Sequence, residues 1–423
     1  MIPTLPSVSS VKSVVPNPAW AALPLFDRTG WKRMAFGEFA ESIGERAEPR
    51  DAQEEIYVGL EHLDSQCLHI HRWGKGSDVI GGKLRFRKGD IIFGKRRAHQ
   101  RKLAVAEFGG ICSAHAMVIR ARPDKVLPEF LPFLMMSDRF MNRAVEISVG
   151  SLSPTINWTT LKLETFDLPP LDQQRRIAEI LWAVDEAISS AKNTAMALEE
   201  LVRGRIAEAM GNGAAKSTTK THETPLGSLP VGWEAPTLRE VCSVISDGVH
   251  KKPNYVDRGI PFITVKNLTR APGISFQDVN YISEADHNEF TKRTRPERGD
   301  VLLTKDGATL GVPRVIETDE PFSIFVSVAL LKPDHARLDP YYLCYGLKSP
   351  ILGGRLIKNQ TGSAIRHIHL IDLRSARIPL PPLGKQKLFV QAVRLAEASS
   401  AAQRSHLERL NELAAAFRGA VFS

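Results

Sequence analysis

The sequence predicts an α+β protein in which two mixed α/β domains in tandem repeat are separated by two long helices that form an antiparallel coiled coil. Three observations predict this fold: an internal repeat, short alternating apolar runs within each copy, and a long heptad pattern after each copy. At 423 residues the chain is too long for one ordinary core. Its composition, 43% hydrophobic and 24% charged, is that of a globular protein.

The repeat appears at five places in the same order. GWKRMAFGEF at Gly30 matches GWEAPTLREV at Gly232, and RKGDIIFGK at Arg87 matches ERGDVLLTK at Glu297. YVGLEHL at Tyr57 resembles FITVKNL, VGSLSPTINW resembles TGSAIRHIHL, and an LPPL corner ends both copies. The spacing between copies grows from 202 residues at the first match to 212 at the corners and never shrinks. This is the pattern of one duplicated unit with loop insertions in its second copy.

A long helix is expected after the double proline of each corner, because proline is tolerated at a helix start but not in its interior. Apolar positions then alternate at spacings of four and three, which is the seam of a coiled coil. We expect the two helices, each about 55 Å long, to pair with each other; packing of each helix on its own domain is the alternative. The seam and subunit-interface positions are Ile177, Leu181, Val184, Ile188, Leu198, Phe389, Val393, Leu407, Leu410 and Phe417.

These features divide the chain into six segments. They are an N-terminal arm (1–29), a first domain (30–168), a central spacer helix (169–210), a linker (211–231), a second domain (232–380) and a distal spacer helix (381–423). The linker is rich in Gly, Ser, Thr and Pro, so we expect it to be flexible.

No apolar run approaches the ~18 residues needed to span a bilayer, and the N-terminus lacks the pattern of a secretory signal. We therefore expect a cytoplasmic protein. The cysteines at positions 67, 112, 242 and 344 contain no close pair, which fits neither a disulfide framework nor a zinc site.

The net charge of +9 is concentrated in one segment. Between His71 and Lys102 there are eleven Lys and Arg residues against two acids, Asp78 and Asp90, which is the whole excess. A basic surface of this kind attracts a polyanion, and nucleic acid is the usual one. A solvated basic face without a partner is the alternative.

No motif predicts chemistry in this chain. FDLPPL differs from the Asp/Asn-Pro-Pro-aromatic loop of amino-methyltransferases, and GKGS at Gly74 lacks the upstream glycine of a phosphate-binding loop. A nuclease would need a carboxylate where Leu303 and Phe93 stand, so metal-ion catalysis has no ligands there. His69 and His71 alternate along a strand without a third ligand, which favours surface or DNA-facing positions. We expect no catalytic residue, metal site or cofactor in the chain.

With both copies laid out, the chain resembles the specificity subunit of Type I restriction-modification systems from Gly30 to the C-terminus. The resemblance rests on LPPLDQQRRIAEIL and LPPLGKQKLFV, on DGVHKKPNYVDRGIPFITVKNL from Asp247, on RGDVLLTKDGATLGVPRVI from Arg298 and on TGSAIRHI from Thr361. The first copy lacks the Asp-Gly-x-His-x-x-Pro stretch and has GKRRAHQRK in place of the KDGATLG loop.

The resemblance implies two target recognition domains that each read one half of an asymmetric, bipartite site in double-stranded DNA. It implies that two methyltransferase subunits dock on the helices and that two motor-nuclease subunits join them. S-adenosylmethionine, ATP and Mg²⁺ would then belong to the partners.

Lys and Arg side chains in loops contact DNA phosphates, and a few reach base edges. The candidate contacts lie in turn-rich loops that match family stretches: Arg72, Lys75, Lys95, Arg96, Arg97, Arg101 and Lys102 in the first domain, and His250, Lys251, Lys252, Tyr255, Lys305, Arg314, Arg366 and His369 in the second. Two other functions remain open. One is an enzyme with a cryptic nuclease or methyltransferase site, and the other is a coiled-coil protein that binds nucleic acid without sequence preference.

Overall fold

The computed structural model describes residues 23–210, 220–307, 309–358 and 367–422. These residues form two compact units: the first comprises 23–192 together with 404–422, and the second comprises 193–403. Each unit therefore combines one predicted domain with a part of each long helix, so the compact units do not follow the linear segment boundaries.

The first unit contains two larger sheets and a small antiparallel pair. The strands are β1 (Lys32–Ala35), β2 (Ala40–Ile43), β3 (Arg46–Ala47), β4 (Ile56–Val58), β5 (Gly74–Lys75), β6 (Lys83–Phe86), β7 (Ile91–Gly94), β8 (Leu103–Val105), β9 (Gly110–Cys112), β10 (Ala116–Ala121) and β11 (Thr165–Leu168). They are ordered β2-β10-β7-β8, β3-β6-β9-β4-β5 and β1-β11.

The helices of this unit are short, except for the first of the two long helices. They are α1 (Phe36–Phe39), α2 (Leu131–Met136), α3 (Asp138–Glu146), α4 (Trp158–Leu161) and α5 (Leu171–Met210), with 3-10 turns at Pro24–Phe26, Pro49–Asp51, Gly76–Asp78 and Ala98–Gln100. Only residues 171–192 of α5 belong to this unit.

The second unit contains two four-stranded sheets and a preceding hairpin. Its strands are β12 (Thr221–Thr224), β13 (Gly227–Pro230), β14 (Cys242–Asp247), β15 (Tyr255–Val256), β16 (Ile260–Ile263), β17 (Asn280–Ile282), β18 (Val301–Thr304), β19 (Pro313–Val315), β20 (Ser323–Ile324) and β21 (Val328–Pro333). Its helices are α6 (Leu238–Val241), α7 (Val265–Thr269), α8 (Glu284–Thr291), α9 (Pro340–Lys348), α10 (Leu352–Lys358), α11 (Leu370–Ser375) and α12 (Leu383–Phe422). The sheets are ordered β12-β13, β14-β21-β18-β19 and β15-β17-β16-β20.

The duplicated framework is visible in the sheet order, since β2-β10-β7-β8 and β14-β21-β18-β19 have the same connections. The matching RKGD and ERGD motifs form the same turn in front of β7 and β18. Gly89 and Gly299 have φ of 91° and 90°, which glycine adopts without steric cost. The buried carboxylate after each glycine accepts a backbone N–H, from Arg87 to Asp90 and from Glu297 to Asp300, both at 2.8 Å. The predicted tandem repeat is confirmed.

A buried glutamine explains why both corners share the LPPLxxQ pattern. Gln174 donates its Nε2 to the carbonyls of Lys125 and Pro169 at 3.0 and 2.9 Å. Its Oε1 accepts the Leu127 N–H at 2.8 Å. In the second unit Gln386 makes the equivalent bonds to Arg337 O, Pro381 O and Asp339 N, at 2.8, 2.8 and 2.9 Å. One amide thus fixes the start of each long helix against its domain.

In each unit, the start of one long helix and the end of the other pack in the same core. In the first unit Ile177 and Leu181 of α5 share a core with Phe417 of α12. In the second unit Val393 of α12 shares a core with Met210 of α5, and Phe389 packs against it. The start of each helix therefore packs beside the end of the other, as predicted for an antiparallel pair. The remaining predicted seam positions are half-buried: Val184, Ile188, Leu198, Leu407 and Leu410.

One predicted segment differs from the structure. Residues 211–219 of the linker lie outside the described residues, but Thr221–Thr224 and Gly227–Pro230 form an antiparallel hairpin rather than a flexible connection. The Thr224 hydroxyl donates to the Gly227 carbonyl at 2.6 Å and accepts the Leu226 N–H at 3.1 Å. Gly227 has φ of 98°, so the Pro-Leu-Gly sequence specifies a turn.

None of the helices in the described part of the chain contains a stretch long and apolar enough to cross a membrane. The four cysteines are free thiols; three are buried, and burial raises the pKa of Cys112 and Cys242 to about 12. These thiols are therefore protonated and unreactive at neutral pH.

Candidate nucleic-acid interface

The basic loop of the first unit follows β7 and contains residues 95–102. It packs along residues 154–156: Arg97 N donates to the Pro154 carbonyl at 2.8 Å, and Ile156 N donates to the Lys95 carbonyl at 2.9 Å. Arg97 and Arg101 adopt left-handed backbone angles, with φ of 60° and 49°, on either side of a 3-10 turn. This geometry leaves the Arg97 side chain exposed.

Many cations of the basic segment are already paired within the protein. Arg85 forms an ion pair with Glu55 at 2.7 Å, and the buried Lys83 donates to the Gly81 carbonyl at 2.7 Å. Arg72 pairs with Asp64 at 2.5 Å, and longer contacts join Lys75 to Glu54 at 3.6 Å and Arg87 to Glu45 at 3.5 Å. The positive field of this surface is thus smaller than the count of eleven cations indicates.

Two predicted contacts of the first domain are used inside the protein. The Lys102 ammonium is half-buried and donates to the Leu60 carbonyl at 2.6 Å. Arg101 pairs with Asp138 at 2.5 Å and is 27% exposed. Both cations stabilise the base of the loop, and their contacts with DNA stay predictions.

The cations that remain for a phosphate are at the tip of this loop. Lys95 and Arg97 form no ion pair with any residue in the described ranges. The Arg96 guanidinium lies 3.3 Å from the His115 ring nitrogen Nε2, a partner without negative charge. Arg72 and Lys75 are also exposed, although each has an acidic neighbour.

In the second unit the candidate loop follows β14. Gly248 begins this loop, and a Cβ there would lie 1.9 Å from the Ile324 carbonyl oxygen, so only glycine fits. His250, Lys251 and Lys252 are exposed beyond it. Tyr255, at the start of β15, is 43% exposed. The loop therefore presents three basic side chains and one aromatic ring to solvent.

Lys305 is not part of that surface. Its ammonium lies 3.0 Å from the Asp247 carboxylate, and the two side chains are only 4% and 5% exposed. This ammonium is enclosed by protein and neutralises a buried carboxylate, and the DNA contact of Lys305 stays a prediction. The other Asp247 oxygen faces His250 at 3.5 Å and Arg293 at 3.6 Å. Arg293 is 69% exposed and was missed, because its loop matches no family stretch.

Arg314 also serves the protein itself. Its guanidinium donates to the carbonyls of Ala271 and Gly273 at 2.9 and 3.2 Å, and burial lowers its pKa. A contact of Arg314 with DNA stays a prediction. His369 is exposed and packs edge-on against His367 at 4.7 Å, while His367 is hydrogen-bonded to Asp306. The candidate Arg366 lies outside the described residues.

His69, for which the sequence predicts a surface or DNA-facing position, is half-buried between two acidic side chains. Its two ring nitrogens contact Asp185 of α5 at 2.7 Å and Glu107 at 2.8 Å. The hydrogen bond to Asp185, aided by Glu107, raises the pKa of His69 to about 9 despite its partial burial. The charged imidazolium thus ties the first domain to the start of the long helix within this unit. His71 remains exposed beside Cys67.

Across the described residues no group of His, Cys, Asp and Glu side chains is arranged to hold a metal ion. The exposed cations on loops at the sheet ends form the chemical feature shared by both domains. Such loops can donate to phosphate oxygens and to base edges.

A family model of the Type I restriction modification DNA specificity domain matches residues 30–200 and again residues 230–398. The chain is 20% identical over 370 residues to the Type I restriction enzyme MjaVIII specificity subunit of Methanocaldococcus jannaschii, which covers 86% of this chain and 85% of that protein. It is 24% identical over 345 residues to the EcoKI specificity subunit of Escherichia coli K12, with 77% and 71% covered.

The fold is also similar to the crystal structure of the Type-I restriction-modification system S subunit from M. genitalium. The TM-score is 0.57 at 13% identity, and the match covers 93% of this chain and 96% of that one. The two family domains, the repeated sheet order and the shared fold agree. The chain therefore belongs to the Type I restriction modification DNA specificity family and carries two copies of its domain.

Proposed function

We propose that the two domains of this DNA-recognition subunit act separately, each contacting one half of an asymmetric, bipartite DNA site. The observation that carries this proposal is the difference between the exposed loops. After β7 the first domain has the half-buried Lys95 and Arg96 and the exposed Arg97, whereas after β14 the second domain exposes His250 and its neighbouring lysines. Different side chains on different loops of one duplicated framework favour different half-site sequences.

The exposed cations have distinct tasks in this proposal. Lys251, Lys252 and Lys95 neutralise phosphates and fix the register of each domain on the duplex. The planar guanidinium groups of Arg96 and Arg97 suit bidentate donation to phosphate oxygens as well as to guanine O6 and N7 in the major groove. The two helices, each 40 residues long, would set the length of the unspecified spacer.

We further propose that the chain is non-catalytic and cytoplasmic and assembles with two methyltransferase and two motor-nuclease subunits, which bring S-adenosylmethionine, ATP and Mg²⁺. Apolar side chains on the long helices outside the seam support docking of partner subunits there. Met196, Leu201 and Leu395 of the second unit are 59%, 50% and 71% exposed. Exposed apolar groups repeated along a helix mark a protein-interaction surface.

The direct test is a domain exchange. Replacing residues 232–380 with those of a relative, in the presence of the cognate methyltransferase, should change one half of the methylated sequence and leave the other half unchanged. The matched control exchanges residues 30–168 and should alter the opposite half. A change in both halves after either exchange would contradict separate recognition.

Two further assays separate this proposal from the other functions. The pure chain, incubated with DNA with and without Mg²⁺ and S-adenosylmethionine, should give no cleaved or methylated product; a product would reveal a cryptic enzyme. Competition between target and random duplex at fixed salt should favour the target by roughly 10³ or more. A ratio near one would instead indicate a non-specific binder.

A further inference from the structure

An apolar cavity of about 450 Å³ lies in the second unit beside Trp233. The Trp233 indole N–H is buried, and it has no hydrogen-bond partner among the residues that the structure describes. A buried donor without an acceptor is costly, so a ligand that brings an acceptor to this indole would be stabilised. Its other apolar lining residues include Pro381, Tyr342, Leu388, Phe389 and Val393.

The first unit shows how the matching place is filled. Trp31 precedes Trp233 by 202 residues and begins the first copy of the repeat. Its indole N–H donates to the Asp27 carbonyl and to the Gln173 side chain, both at 3.1 Å. Gln173 in turn donates to the carbonyls of Leu25 and Asp27 at 2.9 and 2.8 Å. The short segment 24–27 thus supplies the acceptor that Trp233 lacks.

The same segment also supplies the apolar filling. The Phe26 ring packs edge-on against Phe417 of α12 with centroids 5.4 Å apart, and Leu25 packs against the core. A small cavity of about 10 Å³ lies on another side of Trp31, beside Arg139 and Phe166. One peptide turn therefore closes the crevice between the tryptophan and the long helices in the first unit.

The second unit cannot close its crevice in this way. The residues before Trp233 form the β12-β13 hairpin, and only Pro230 of that hairpin lines the cavity. Lys385 stands at the position of Gln173, and Arg205 stands at the position of Phe417, each 212 residues away in the repeat. Where the first unit has an amide and an aromatic ring, the second has two cations beside an apolar cavity.

We propose that this cavity binds a short peptide segment of a partner protein, in which a Phe or Leu side chain is followed by an acidic residue. The apolar side chain fills the cavity, and a backbone carbonyl accepts the Trp233 N–H. The acid faces Lys385, which is exposed and has no ion pair with any described residue. Arg205 adds positive charge, although it also pairs with Glu208 at 3.3 Å. This inference rests on the repeat and the cavity, not on DNA recognition.

The probe is a synthetic peptide with the sequence LPLFDRT, taken from residues 23–29 of the chain itself. The full chain is labelled with ¹⁵N at its tryptophan indoles, and the Trp233 resonance is identified by its loss in Trp233→Phe. Peptide addition should move the Trp233 indole proton downfield and saturate at or below roughly 1 mM. The Trp31 resonance, whose proton already has acceptors, should not move.

Matched variants test each part of the recognition. The peptide LPLADRT, which lacks the aromatic ring, should bind at least tenfold more weakly because it leaves the cavity unfilled. Trp233→Phe should weaken LPLFDRT about fivefold through loss of one hydrogen bond. Lys385→Glu should weaken LPLFDRT and strengthen LPLFKRT, because the charge at the cavity edge is reversed.

Two outcomes would overturn the proposal. One is a Trp233 resonance that does not respond to LPLFDRT, or responds equally to LPLADRT. The other is a Trp233 indole that is already hydrogen-bonded in the free full chain, because another part of the chain or a second copy then fills the cavity. Dilution of the protein distinguishes these two occupants, because it releases a second copy but not another part of the same chain. Each of these measurements is made without DNA. A negative result therefore contradicts the peptide proposal and has no bearing on the domain-exchange test.

Discussion

Lys95 and Lys305 occupy matching positions of the two units, yet they have different surroundings. Each follows the strand after the Gly-Asp turn, and each carbonyl accepts an isoleucine N–H, from Ile156 and Ile368 at 2.9 and 2.8 Å. Lys305 is buried against Asp247, whereas Lys95 is half-buried and lacks a described ion-pair partner.

The strand register explains this difference. In β10, Ile119 pairs with Ser42; in the matching strand β21, Leu331 pairs with Ile245. Two residues further along, the first unit has Gly44 where the second has Asp247. A single glycine-for-aspartate difference therefore leaves Lys95 available to a ligand and makes Lys305 part of the core. Both copies of the repeat thus retain the lysine, but its surroundings differ between them.

The largest expected effect comes from removing Lys305. Lys305→Met should destabilise the second unit by roughly 3–5 kcal/mol, because it leaves the Asp247 carboxylate buried without its cation. Hydrogen exchange followed by mass spectrometry, resolved for β14 and β18, measures this loss. Lys95→Met should change the stability of the first unit by less than about 0.5 kcal/mol while weakening DNA binding.

A double variant sharpens the comparison. Lys305→Met with Asp247→Leu should recover most of the lost stability, because the unpaired charge is also removed. Equal destabilisation by Lys95→Met and Lys305→Met would show that the two lysines are equivalent after all.

The glutamines of the two corners should behave alike, in contrast to the lysines. Gln174→Ala and Gln386→Ala should each cost about 2 kcal/mol in their own unit, since backbone groups at the helix start lose their partner. The same exchange measurement, read at the start of α5 and of α12, reports the loss. The exposed Gln277→Ala serves as control and should have little effect. A large loss in only one unit would contradict the equivalence of the corners.

The units should also differ in their response to pH. Because the folded-state pKa of His69 is about 9, above its ordinary value of 6.5, the ion pairs stabilise the first unit fully below pH 6.5. This contribution, on the order of 2 kcal/mol with screening of the half-exposed Glu107, is lost as the pH rises through 9. In the second unit burial lowers the pKa of His287, so its effect has the opposite sign and appears as the pH falls below 6.5.

Unit-resolved exchange between pH 4.5 and pH 9.5, corrected for the intrinsic exchange rate, measures both effects. His69→Gln should flatten the alkaline loss of the first unit. An unchanged pH profile in that variant would show that the histidine does not tie the domain to α5.

The smallest effect concerns the outer loop. Replacing Arg96 and Arg97 with alanine should lower the slope of log affinity against log salt by roughly 0.9 for each lost phosphate contact. Binding titrations of one target duplex at several salt concentrations give this slope. Arg50→Ala removes the same charge from another exposed position, 81% open to solvent, and should leave the slope unchanged. An unchanged slope in the Arg96 and Arg97 variant would show that these residues contact no phosphate.

Local patterns in the sequence predict the repeat, the corners, the long helices and their seam. Whether an individual cation is buried in a contact within the protein or exposed depends instead on strand register and on contacts between distant residues. Asp247 lies 58 positions before Lys305, and the carbonyls that bind Arg314 come from a loop about 40 positions earlier. Composition alone therefore overstates the basic surface. The sequence also did not predict that the Trp233 indole N–H lacks a hydrogen-bond partner among the described residues. This feature becomes evident only when Trp233 is compared with the hydrogen-bonded Trp31.

The first unit takes in residues 404–422, and this has a consequence for synthesis on the ribosome. Phe417, Val421 and Phe422 complete the core around Phe130 and Leu181, and Arg28 donates to the Val421 carbonyl at 3.3 Å. More than 200 residues must be translated between residue 192 and residue 404, which takes roughly 10 to 40 s at ordinary elongation rates. During that interval the nascent N-terminal domain exposes apolar surface, so we expect it to depend on chaperones until translation finishes.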